Sequence, residues 1–97
     1  MSIFIVTFDL SNSAERGQDY EKIEFFLKKL SDFVVKPLSN TYLISSNNLT
    51  CIIIRDRIMS ILEESDCVFV ASLSGHYASW NYLETNQLIK NLFERKG

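Results

Sequence analysis

Apolar and polar positions change period along this chain, and the changes mark its elements. The run IFIVTFDL (3–10) is β-branched and aromatic, too short for a confident helix, and gives way to the polar SNSAERGQD, so it predicts a first strand. Between 19 and 31, Ile23, Phe26, Leu27 and Leu30 recur at helical spacing behind Asp19 as N-cap, the pattern of an amphipathic helix. DFVVKPLS and NTYLISS then read as two short extended segments forming a hairpin, with Pro37 confining the first to an edge or turn. From Leu49 to Glu64, Cys51, Ile54, Ile58 and Ile61 fall on one stripe while Arg55, Asp56 and Arg57 turn away, which predicts a second helix. CVFVASL (67–73) is strongly β-prone and stops at Ser74 and Gly75, as a last core strand would. Residues 81–95 carry a third helical pattern, with Asn81 and Glu84 spaced as a capping pair and Leu88 and Leu92 four apart.

The predicted order is β-α-β-β-α-β with an added C-terminal helix, the ferredoxin-like, split βαβ arrangement. The fold class is therefore α+β, an antiparallel sheet with helices on one face, in a single domain over residues 1–97. The first strand offers Phe4, Val6 and Phe8 to one side and Ile3 and Ile5 to the other; the last sets Val68 and Val70 against Cys67, Phe69 and Ala71. A sheet apolar on both faces needs a second cover. Either the extra helix folds back over it or a second copy does, and the two-fold homodimer is the favoured reading.

Composition narrows the function classes. Of 97 residues, 46% are hydrophobic and 23% charged, as in an ordinary globular protein, and the net charge of −2 lacks the basic balance that drives non-specific phosphate binding. Cys51 and Cys67 sit in apolar stretches and read as small buried hydrophobes, and one His without a CxxC spacing supplies no usual zinc set. The start MSIFIVTFDL has no basic region and reaches Asp9 after a short apolar run, which argues against a signal peptide or a membrane span. The expectation is a cytoplasmic protein without a membrane partner. No nucleophile–base–orienter set surrounds His76, and no glycine-rich phosphate loop is present.

FIVTFDL ending in Asp9, the element order, NTYLI as third strand and a last strand running into LSGHYASW together resemble the small SinR-like proteins of the CRISPR-associated protein 2-like group, across nearly the whole chain. The resemblance implies a ferredoxin-like homodimer with an Asp from each first strand near the dimer axis. It also implies one of two activities. In the first, Asp9 is the catalytic residue and Mg²⁺ ligand of an endoribonuclease or endonuclease, processing nucleic acid in a toxin–antitoxin or phage-defence setting. In the second, the protein is a non-catalytic dimer that binds a protein, nucleic acid or small ligand as a regulator or counter-defence factor.

The residues leave both open. Two Asp9 carboxylates at a two-fold axis would hold one Mg²⁺ and orient water toward a phosphodiester, but an Asp at a strand exit also turns a polar loop by accepting from amides two residues on. Arg16 in that loop and Arg55 and Arg57 on the second helix are the candidate nucleic-acid contacts, and the helix arginines equally suit a solvated helix face. In SLSGHYASWNY (72–82), Gly75 supplies a permissive turn, Trp80 sets the final helix on the sheet and His76 lies in the connection. This stretch reads as a junction closing the fold or its dimer.

Overall fold

The computed structural model describes residues 2–31, 33–74 and 83–96. The elements are β1 (Ser2–Asp9), α1 (Gly17–Leu30), β2 (Phe33–Leu38), β3 (Thr41–Ser46), α2 (Cys51–Met59), β4 (Cys67–Leu73) and α3 (Leu83–Lys96), with a 3₁₀ turn at Ser13–Glu15. The strands form one antiparallel sheet in the order β2-β3-β1-β4, which makes β2 and β4 the edges.

Alternation along β1 builds two cores. Phe4, Val6 and Phe8 face one side, where they pack with Tyr42 and Ile44 of β3, Ile23 and Leu27 of α1, and Ile54 and Ile58 of α2. The Phe8 ring stacks nearly parallel on Tyr42, centroids 6.1 Å apart, and meets Tyr20 at 5.7 Å. Ile3 faces the other side, where it joins Val35 and Leu43 under Ile89 and Leu92 of α3. The chain's own last helix thus folds back over much of the second apolar face. That cover reaches β2, β3 and the start of β1. Toward the other end of the face, Phe69 of β4 is 62% exposed and Cys67 is exposed too.

Several boundaries shift for local reasons. α1 begins at Gly17, two residues before Asp19, so Asp19 is a first-turn residue rather than the N-cap. Asn12 holds the left-handed backbone (φ 54°) that opens the 3₁₀ turn ahead of it, a conformation asparagine tolerates better than most residues. α2 is shorter than its apolar stripe suggests: the Thr50 hydroxyl accepts from the Ile53 amide at 3.2 Å and starts it, and the chain turns again after Met59. In α3 the buried pair is Ile89 and Leu92, while Leu88 is 45% exposed. The reading of both cysteines as buried is corrected: Cys51 is half-buried against the core, and Cys67 is exposed because it begins an edge strand at the uncovered end of the sheet.

Ser31 staples the end of α1 to the hairpin. Its buried hydroxyl accepts from the amides of Phe33 (3.1 Å) and Ser45 (3.2 Å), and its single proton lies between the carbonyls of those two residues. Ser31→Ala removes these hydrogen bonds at a buried position and is expected to cost about 1–3 kcal/mol by urea denaturation.

Candidate functional site

Asp9 ends the central strand and is exposed. It lies opposite Cys67 in the register, with Thr7 opposite Phe69, so these four residues share the end of the sheet that α3 leaves open. Asn40, at the β2–β3 turn, donates from Nδ2 to Asp9 Oδ1 at 3.3 Å, and its carbonyl accepts from the Phe8 amide at 3.2 Å. Among the described residues no cation lies within ion-pair distance of the Asp9 carboxylate. A shallow hollow of about 130 Å³ is lined by Thr7, Phe8, Asp9, Cys67, Val68 and Phe69. A second, of about 350 Å³, lies beside Met59, Leu62, Glu63, Glu64, Asp66 and Val68. Val68 lines both, so the two hollows adjoin at this residue of β4.

Arg16 is drawn inward rather than toward solvent, only 7% exposed. Its Nε donates to Asp19 Oδ2 (2.7 Å), Nη1 to the Ser11 carbonyl (3.2 Å) and to Asp66 Oδ1 (2.7 Å), and Nη2 to Asp66 Oδ2 (2.7 Å). Four of the five guanidinium N–H groups are therefore committed within the chain. Asp66 is the hub of this arrangement, because it also accepts from the amides of Ser11 (2.8 Å) and Glu63 (2.7 Å). The fork from Arg16 and those amides hold its carboxyl well below the usual carboxylate range, and the same pairing raises the Arg16 guanidinium.

The loop-turning work considered for Asp9 belongs to Asp66, which receives the amide two residues past Asp9. Sequence reasoning missed Asp66. The available signal was Arg16 itself, a lone cation in a polar loop that could be buried only against a carboxylate. A second long-range tie joins α1 to β3, where the Tyr42 hydroxyl donates to Glu24 Oε1 at 2.8 Å. This bond lowers the Glu24 carboxyl, while burial, then the same carboxylate, raises the phenol.

The helix arginines do not converge. Arg55 donates from Nε and Nη2 to its neighbour Asp56 at 2.9 and 2.7 Å, and Arg57 is exposed two positions on, where a helix turns to another side. Lys28 pairs with Glu24, and Lys29 sits over the Phe25 ring at 4.5 Å. Gly75, His76 and Trp80 lie outside the described residues. Among the described residues no group of three or more His, Cys, Asp or Glu side chains is placed to hold a metal ion. As a single hard oxygen donor in the open, Asp9 fits one position of a Mg²⁺ shell otherwise filled by water and phosphate. No described helix is long and apolar enough to cross a membrane. Comparison of the chain with protein-family models and with curated proteins finds no match.

Proposed function

We propose that the chain is a ferredoxin-like homodimer that acts by binding, a regulatory or counter-defence protein whose working surface is the open β4 side of its sheet. The strand order β2-β3-β1-β4 supports the ferredoxin-like reading. The observation that carries the binding role is the exposed apolar Phe69 beside two hollows that adjoin at Val68 of the same strand. The internal commitment of Arg16 points the same way, because the loop after Asp9 then presents no basic side chain to a phosphate.

A second reading, a Mg²⁺-dependent endoribonuclease or endonuclease, is favoured by one observation: Asp9 is exposed and bonded only weakly, by a neutral amide. In that reading Asp9 would hold the ion, which supplies a water activated for attack on a phosphodiester. One assay separates the two. Purified protein is incubated with single-stranded RNA and duplex DNA in Mg²⁺ or Mn²⁺, beside Asp9→Asn. The binding role predicts equal background for both proteins and unchanged folding of Asp9→Asn. Cleavage by the wild type that Asp9→Asn loses, with folding and assembly retained, establishes the nuclease and overturns the binding role.

A further inference from the structure

We infer that two copies pair through their helical layers, each seating Phe25 of α1 in the other's hollow beside Met59, Leu62 and Val68; this rests on the dimeric reading above and names its contact. α1 and α2 cover the same face of the sheet, with Ile23, Leu27, Ile54 and Ile58 buried beneath them. Phe25 stands two residues from both Ile23 and Leu27, which turns it to the outer side of α1, and it is 60% exposed. The hollow opens at the end of α2, where Met59 is 54% exposed. Its volume of about 350 Å³ exceeds the roughly 150 Å³ of an apolar cavity that holds a benzene ring. An exposed aromatic ring and an apolar recess large enough for it thus belong to one layer of the molecule.

Charge selects the occupant. Glu63 and Glu64 rim the recess; Glu63 stands 3.7 Å from the Arg16 guanidinium, whereas Glu64 meets no cation among the described residues. An apolar group entering there must bring a cation with it. Phe25 does so. Lys29 Nζ lies 4.5 Å over its ring and pairs with no carboxylate among the described residues. Lys22 and Lys28 stand on the same side of α1, with Glu21 as the carboxylate between them. The other exposed ring, Phe69, has no such cation among the described residues. Because ring and recess share one layer, a two-fold axis makes both contacts at once and closes the assembly at the dimer. Lys29 of each copy then reaches Glu64 of the other. Phe69 and Asp9 belong to the opposite face of the sheet, so they stay open to a partner and the two Asp9 carboxylates share no ion.

The test is sedimentation equilibrium of the full chain. The expected result is a dimer that Phe25→Ser weakens at least about tenfold, and that Lys29→Glu and Glu64→Lys weaken at least about fivefold each. All three positions are exposed, so the substitutions leave the fold intact. Mixing Lys29→Glu with Glu64→Lys should restore association, because both contacts then join opposite charges again, and that rescue also shows the single variants to be folded. A chain that stays monomeric throughout overturns both this contact and the dimeric reading. A dimer indifferent to all three substitutions overturns the contact alone, and assembly that grows past the dimer overturns its two-fold form.

Discussion

Asp66→Asn is expected to lower the thermal midpoint by several degrees and to flatten the acid limb of the stability profile. The carboxylate gathers Arg16, the Ser11 amide and hydroxyl, and the Glu63 amide, tying the loop after β1 to the turn before β4. An asparagine keeps one acceptor but turns an NH₂ toward groups that are themselves donors, and it leaves the Arg16 charge without its main counter-ion.

The pH dependence follows from the direction of the shift. Asp66 is depressed in the folded chain, so its contribution is complete above the unfolded carboxylate value, about 3.9, and is lost as pH falls through that value toward the lower folded one. The gap between wild type and Asp66→Asn should therefore be constant near neutral pH and narrow below about pH 4. A gap that does not change down to pH 2 would contradict this role. Arg16→Lys should reproduce most of the loss, because an ammonium cannot form the two-pronged contact, and the paired substitutions should be strongly non-additive.

Leu92→Ala is expected to cost about 2–5 kcal/mol, as for other fully buried leucines, and Leu88→Ala well under half of that. Leu92 has no exposed surface and sits with Ile89 over Ile3, Val35 and Leu43, whereas Leu88 is 45% exposed. The contrast measures how firmly α3 closes the second face of the sheet. Equal costs in urea denaturation would mean that α3 does not seat on the sheet through Leu92.

The order of strands and helices was legible because β-branched runs and helical apolar stripes differ in period, and both patterns are strong here. Val6 and Phe8 on one side of β1 and Ile3 on the other announced a sheet with two apolar faces. They did not say that α3 supplies much of the second cover, because its anchoring pair, Ile89 and Leu92, is spaced three apart and stands beside the more conspicuous Leu88. Cys67 read as buried because its neighbours are apolar, yet neighbours in sequence do not reveal an edge. Only the strand order places it there. Arg16 was visible as the one basic residue after Asp9, but its inward turn depends on Asp66, fifty residues away, and no local pattern links the two.

The central claim is that the chain acts by binding, with Asp9 taking no part in cleavage. It is tested most directly by incubating the wild type and Asp9→Asn with single-stranded RNA and duplex DNA in Mg²⁺ or Mn²⁺. The account predicts the same background for both proteins. Cleavage by the wild type that Asp9→Asn loses, with folding retained, would contradict it.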